Sequence, residues 1–127
     1  MRIGKAVVTS IFLAVILFSA RALAFSISVD WKGTAACFDP QSPAIRLTDV
    51  PKGTARIAFH MTDLDAPHFP HGGGTVAYSG QPSLAKGAFT YKGPCPPAPH
   101  RYHWTAEALD AAGRALARAE TTLKFPP

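Results

Sequence analysis

The sequence lacks a long hydrophobic run, a stripe of basic residues and any internal repeat. Its longest apolar stretch, residues 6–20, is interrupted by polar side chains and is too short for a comfortable membrane span. After position 24, ten Lys and Arg face eight Asp and Glu and are scattered along the chain, which argues against binding to nucleic acid. Without repeats or low-complexity linkers, 127 residues correspond to one small domain at most.

Motifs of the common hydrolases are also absent. No Ser lies in a G-x-S-x-G motif, and no H-E-x-x-H motif is present. The two cysteines, Cys37 and Cys95, are expected to pair with each other, which leaves no free thiol for nucleophilic catalysis. The sequence therefore predicts a protein that is not an enzyme and that carries no cofactor.

The N-terminus is typical of a secretory signal peptide. A short basic start, residues 1–5, precedes the apolar stretch, and residues 22–24 (ALA) form a cleavage signal. No Cys follows Ala24, so no lipid anchor is expected. Residues 1–24 are predicted to be removed, which leaves a domain of residues 25–127 in the periplasm or outside the cell. The alternative is a retained anchor helix.

Export also bears on the two cysteines. An oxidising compartment favours a disulfide between Cys37 and Cys95, and a chain this small buries too little surface to be very stable without one. In the chain-entropy description, closing a loop of this length is worth roughly 4 kcal/mol. The alternative is two buried free thiols.

Alternating apolar and polar residues predict an all-β domain. Ile57, Phe59 and Met61 recur every second residue in the clearest strand, which indicates one buried face. Turn signals at intervals of about 8–12 residues separate about seven such segments and favour an antiparallel β-sandwich. The predicted strands are residues 25–31, 44–50, 55–62, 75–78, 89–91, 102–108 and 115–125, the last of which is also compatible with a helix.

Two carboxylates follow the clearest strand. Asp63 and Asp65 have the parity of its buried residues, so a continued strand places both on the core face. Carboxylates held close together resist simultaneous ionisation, so one of the two pKa values is expected to be raised. The alternative is a turn in which both side chains cap backbone amides in solvent.

Glycine and proline mark two further segments. Residues 72–74 are three glycines whose N–H groups predict an anion-binding concavity, the alternative being a flexible loop. Residues 93–99 contain four prolines, which would stiffen a ligand-facing wall before folding. His100 shares the parity of Tyr102, so we expect it at the inner end of a strand, whereas His60 faces away from the core.

A series of short motifs occurs in a characteristic order. Along the chain they are residues 42–43 (SP), 50–54 (VPKGT), 61–67 (MTDLDAP), His71, 93–97 (GPCPP) and 100–102 (HRY). This series resembles the phosphatidylethanolamine-binding protein family, also known as the Raf kinase inhibitor protein family, and in particular its small secreted bacterial branch. The resemblance covers about residues 37–110, which is most of the predicted mature chain.

The resemblance implies a β-sandwich with a small pocket that binds phosphate-type anions and phospholipid head groups. The family's pocket positions fall here on Asp63, His71, Pro97, His100 and Tyr102. Secondary candidates beside them are Asp65, Gly72, Gly73 and Gly74. The resemblance also implies a cis bond between Ala66 and Pro67, since X-Pro bonds isomerise cheaply.

The sequence departs from the family pattern at three places. Leu64 stands where the family has Pro, and the three glycines replace the bulky start of the strand after the pocket histidine. The C-terminal helix region of larger members is expected to be missing, because the chain continues through a hairpin to Pro127.

Together these features predict a secreted or periplasmic binding protein for a small phosphorylated ligand or a phospholipid head group, with no nucleic-acid partner. His71 and His100 would supply positive charge when protonated, so anion binding is expected to strengthen below neutral pH. One alternative is a divalent-metal site or metal-dependent hydrolase that uses Asp63, Asp65, His71 and His100. Another is a structural sandwich with a vestigial pocket. The oligomeric state stays open.

Overall fold

The computed structural model describes residue 4, residues 14–18 and residues 23–127. The predicted signal peptide, residues 1–24, lies largely outside these described residues, so its cleavage stays a prediction. Within them the chain forms seven strands and no helix, and hence no helix that could cross a membrane. The strands are β1 (Ser26–Asp30), β2 (Ala44–Thr48), β3 (Arg56–Asp63), β4 (Gly73–Ala77), β5 (Ser83–Leu84), β6 (His100–Leu109) and β7 (Ala115–Phe125).

The strands form two antiparallel sheets that enclose one core. The smaller sheet has the order β1-β2-β5 and the larger one the order β4-β3-β6-β7. Every second residue of β3 and β6 is buried, so the alternation in the sequence selects the inner face of the larger sheet. The predicted all-β antiparallel sandwich is confirmed, and residues 115–125 are a strand.

An aromatic cluster fills the core below one end of β6. Trp31 lies with its ring centroid 6.0 Å from that of Tyr102 and 5.3 Å from that of Phe125. Its indole also lies 6.1 Å from Trp104, which is fully buried. Such edge-to-face and tilted pairs fix the rings in place, so Tyr102 stands on a rigid base.

The prediction of a strand at residues 89–91 is wrong. Phe89 and Tyr91 are buried as the alternation indicates, but the segment makes a single β-bridge, between Gln41 and Thr90. Prolines at positions 40 and 43 flank that partner segment and cannot donate ladder hydrogen bonds, so the pairing does not propagate. The seventh strand is instead the short β5, which pairs with β2.

A disulfide joins Cys37 and Cys95, as predicted. Backbone hydrogen bonds continue from it, because Phe38 N donates to Pro94 O at 3.3 Å and Gly93 N donates to Asp39 O at 3.0 Å. Cys37 and Phe38 both have positive φ, 96° and 56°, a left-handed conformation that favours glycine. The cross-link and these bonds therefore hold an unfavourable backbone conformation next to the proline-rich segment.

Candidate functional site

A small pocket lies at the end of the sandwich where β3 ends and β6 begins. Its volume is about 170 Å³, which is below the usual range for drug-sized ligands and is enough for a single small polar group. The lining residues are Phe38, Asp63, Ala66, Phe69, His71, Cys95, Pro96, Pro97, His100 and Tyr102. All five residues placed in a pocket by the sequence resemblance are among them; that they bind a ligand stays a prediction.

Strand pairing places the polar side chains of the pocket. Asp63 ends β3 directly opposite Tyr102 of β6, and both side chains are on the inner face of the sheet. His100 lies two residues before Tyr102 and therefore on the same face. A carboxylate, an imidazole and a phenol thus replace apolar residues on the inner face at this end of the sheet, where they line the pocket.

The Asp63 carboxylate is buried and fully engaged. Its Oδ1 accepts the backbone N–H groups of Asp65 at 2.9 Å and Ala66 at 3.1 Å. Its Oδ2 lies 2.7 Å from Nδ1 of His100, which donates to it. Because Nδ1 is held by the carboxylate, Nε2 is the ring nitrogen of His100 that remains for another partner.

His71 is buried and is held in the same manner. Its Nδ1 lies 2.7 Å from the carbonyl oxygen of Lys92, which can only accept, so Nδ1 carries a proton. The ring lies between Phe69 and Tyr102, with centroids 4.7 Å and 5.6 Å away. Nε2 of His71 makes no hydrogen bond with any described residue.

Tyr102 has a fully buried side chain whose hydroxyl has no hydrogen-bond partner among the described residues. Burial away from water, and next the negative charge of Asp63, raise the pKa of this phenol above its usual value. The hydroxyl therefore keeps its proton at physiological pH. A buried polar group without a partner is costly, and this side chain lines the pocket beside Asp63, with its hydroxyl shielded from solvent.

Two aromatic side chains that the sequence interpretation missed form one wall. Phe38 and Phe69 are stacked, with ring centroids 5.6 Å apart and an interplanar angle of 7°. The Lys92 Nζ lies 4.6 Å from the Phe38 centroid and 4.9 Å from the Phe69 centroid, within cation–π distance. Neither phenylalanine belongs to a strand, so periodicity gave no signal for them. Pro96 and Pro97, in the segment where a stiff wall was predicted, also line the pocket.

Asp65 does not line the pocket, although it was a secondary candidate. The chain turns at Leu64, so the strand parity that joined Asp65 to Asp63 ends there. Asp65 Oδ2 accepts the backbone N–H of Arg101 at 2.7 Å, and Oδ1 lies 3.2 Å from the guanidinium. The Arg101 amide, and then its guanidinium, lower the pKa of Asp65, opposite to the shift expected for two repelling carboxylates.

The glycines at 72–74 also stay outside the pocket lining, so the predicted anion-binding concavity does not form. Gly73 and Gly74 begin β4 and pair with β3. A Cβ on Gly73 would lie 1.8 Å from the carbonyl oxygen of Phe59, and one on Gly74 would lie 2.6 Å from the Cβ of Phe89. These glycines allow close packing of backbone and ring, and Gly72 supplies the turn with a φ of 73°.

The prediction of a cis bond between Ala66 and Pro67, which the resemblance implied, is also wrong. Among the described residues the cis bond is Phe125–Pro126. Phe69 N donates to Ala66 O at 3.0 Å, which closes a turn with Pro67 at its second position. A trans proline is favoured there, whereas a cis proline belongs at the third position of a turn.

Three of the four residues of the metal alternative, Asp63, His71 and His100, line the pocket, but Asp65 does not. Both oxygens of Asp63 are engaged, and Asp65 binds Arg101. In the part of the chain that the structure describes, no group of three or more His, Cys, Asp or Glu side chains is placed to hold a metal. His60, which was predicted to face away from the core, is exposed, and neither His60 nor His68 lines the pocket.

Solved structures of two bacterial proteins share this fold. One is CT736 of Chlamydia trachomatis, a phosphatidylethanolamine-binding protein homologue, with 20% identity, a TM-score of 0.61 and coverage of 80% of this chain and 97% of that chain. The other is YbcL of E. coli, a member of the mammalian phosphatidylethanolamine-binding protein family, with 19% identity, a TM-score of 0.62 and coverage of 81% and 98%. The fold implied by the sequence resemblance is therefore confirmed. No protein-family model and no curated protein matches the sequence.

Proposed function

We propose that this chain, with the fold of the phosphatidylethanolamine-binding proteins, is an exported binding protein whose pocket takes a phosphate-type anion or a phospholipid head group. The observation that carries the proposal is that polar side chains of two strands and a loop converge on one small pocket, which Asp63, His71, His100 and Tyr102 all line. The Nδ1 atoms of both imidazoles are held by Lys92 O and by Asp63, so their Nε2 atoms have no hydrogen-bond partner among the described residues.

The negative charge of Asp63 is compatible with an anion in this pocket. A bare carboxylate would repel phosphate, but two backbone N–H groups and the His100 ring already bind its oxygens. Asp63 therefore acts as a positioning residue, because its hydrogen bond to Nδ1 orients the His100 ring and leaves Nε2 for the ligand. The ligand would meet Nε2 of His100, with the carboxylate behind it.

The ring nitrogens can serve either partner of a head group. A protonated Nε2 donates to a phosphoryl oxygen and adds positive charge, which makes a charge-assisted hydrogen bond. A neutral Nε2 accepts from a P–OH group or from a primary ammonium. A protonated ring nitrogen binds a negatively charged phosphoryl oxygen more strongly than a neutral one does, so phosphate binding is expected to strengthen below neutral pH.

Calorimetric titration with inorganic phosphate at several pH values tests this proposal. We expect affinity to rise as the pH falls below 7, and the variant His100→Ala to lose roughly tenfold or more, the size of one charge-assisted hydrogen bond. His60→Ala is the matched control, because His60 is exposed on the other face of β3 and should bind as the parent does. Affinity that is independent of pH and of His100 would contradict the proposal.

Tyr102→Phe separates binding from stability. Removing the unpartnered hydroxyl deletes a buried polar group without opening a large cavity, so the free energy of unfolding should stay equal or rise by up to about 1 kcal/mol. Phosphate affinity should fall about fivefold, because a neutral hydrogen bond to the ligand is lost. A structural sandwich with a vestigial pocket predicts the same stability but no phosphate binding in either protein. Urea unfolding and calorimetry on the two proteins measure both quantities.

A further inference from the structure

Among residues 25–127, most of the exposed large apolar side chains lie in the pocket lining or on the turn next to it. From residue 25 onward, four large hydrophobic side chains have more than a third of their surface exposed: Phe38 (41%), Leu64 (40%), Phe69 (36%) and Leu116 (42%). Phe38 and Phe69 line the pocket, and Leu64 lies on the turn between its residues Asp63 and Ala66. Leu116 lies on β7 instead.

The apolar side chains near the pocket are held in place by their surroundings. The disulfide at Cys37 precedes Phe38, whose ring stacks on Phe69. The turn that carries Leu64 is tied to β6, because Leu64 N donates to the carbonyl oxygen of Arg101 at 2.8 Å. The backbone that presents these exposed side chains is therefore fixed, as a docking surface requires.

Positive charge accompanies this surface. Lys92 Nζ lies over both phenylalanine rings, and no Asp or Glu among the described residues forms an ion pair with it. Arg101, beside Leu64, is more than half exposed although it contacts Asp65. A free phosphate ion would be bound by the positively charged side chains alone and would not require exposed apolar side chains. Aromatic and aliphatic side chains next to a cation fit the interface between lipid head groups and acyl chains.

We propose that Phe38, Leu64, Phe69 and Lys92, which we name the mouth patch, dock on the surface of an anionic lipid bilayer. The apolar side chains enter the head-group region, Lys92 meets lipid phosphates, and one head group reaches the pocket while its lipid stays in the membrane. This inference rests on the proposed function of the pocket and specifies the source of its ligand. A soluble phosphate compound and a second copy of the chain are the other occupants that the test distinguishes.

Vesicle co-sedimentation tests the mouth patch. The full sequence is expressed, the exported protein is purified, and its N-terminus is determined by mass spectrometry. It is mixed with vesicles of phosphatidylcholine alone or with a third of phosphatidylglycerol. We expect binding to the anionic vesicles to be at least fivefold stronger and to weaken as salt is added. All variants have the same N-terminus, so any contribution of residues 14–18 to vesicle binding is the same in each of them.

Four substitutions resolve the contributions. Leu64→Ser and Phe69→Ser should each lower vesicle binding roughly tenfold, because each removes an apolar side chain from the interface. Lys92→Gln should remove most of the preference for anionic vesicles. Leu116→Ser, an equally exposed leucine on β7, should bind as the parent does. Leu64→Ser should also keep its phosphate affinity within twofold, because Leu64 does not line the pocket.

The results separate this inference from the proposed function. Phosphate binding without vesicle binding overturns docking and leaves the pocket assignment intact. Vesicle binding that His100→Ala leaves unchanged overturns head-group capture, and an equal loss in Leu116→Ser shows nonspecific adhesion. Light scattering that shows a dimer dissociated by Leu64→Ser assigns the patch to a second copy and overturns the lipid assignment. Circular dichroism of each variant checks that it is folded.

Discussion

Reduction of the Cys37–Cys95 disulfide is expected to lower the free energy of unfolding by about 4 kcal/mol, the value for closing a loop of this length in the unfolded chain. The two cysteines are 58 positions apart. A domain of this size is stabilised by only about 5–15 kcal/mol in total, so the loss is a large fraction. Urea unfolding of the protein with and without reductant measures it.

A variant with both cysteines replaced provides the control. Cys37→Ser/Cys95→Ser should be as unstable as the reduced protein, and reductant should not destabilise it further. Phosphate affinity should fall as well, because the disulfide holds Phe38 in a left-handed conformation against the pocket and Cys95 is part of the lining. A change in stability below about 1 kcal/mol would show that the loop is already ordered in the unfolded state.

Asp63→Ala is expected to cost about 3 kcal/mol of folding free energy. The carboxylate is buried, and its removal leaves the N–H of Asp65 and the His100 ring without their acceptor, whereas Ala66 N keeps a hydrogen bond to the backbone oxygen of Asp63 at 3.2 Å. Asp63→Asn should cost less, because its amide oxygen can still accept the two backbone N–H groups while the charge facing His100 is lost. Chemical unfolding of the three proteins at neutral pH gives the order.

Asp65→Ala is the matched control for this position. Asp65 is on the same turn, but it is at the surface and binds Arg101 in solvent, where ion pairs contribute little. Its loss should be much smaller than that of Asp63→Ala. Equal losses for the two substitutions would contradict the role given to Asp63. A stability of Asp63→Asn as low as that of Asp63→Ala would show that the charge, and not the turn, is what matters.

Sequence periodicity predicted the parts of the site that belong to strands. Alternation along β3 and β6 put Asp63, His100 and Tyr102 on the inner face, and the structure shows them there. The same rule failed at Asp65, because one residue of turn is enough to reverse which side a side chain faces. His71 and Pro97 lie in irregular segments, and only the resemblance of motifs indicated their place.

The remainder of the site was not predictable from local sequence. Phe38, Phe69 and Lys92 are brought together by a disulfide and by backbone hydrogen bonds between segments far apart in the chain. No pattern within either segment encodes that contact. The glycines were misinterpreted because glycine is required both where an aromatic ring packs against the backbone and where a ligand does. Only the position of Phe89 in the structure distinguishes the two cases.

The pocket walls come from segments that are far apart in the chain, and this determines when the pocket can form during folding. Residue 38, residues 63–71 and residues 95–102 supply them, so β3 must find β6 before any recognisable cavity is present. Pairing between such distant segments is slow compared with local hairpin closure. The cavity is thus expected to form only after this long-range pairing. If the chain is exported in an unfolded state, as the proposed function implies, it can capture a ligand only after it has folded at its destination.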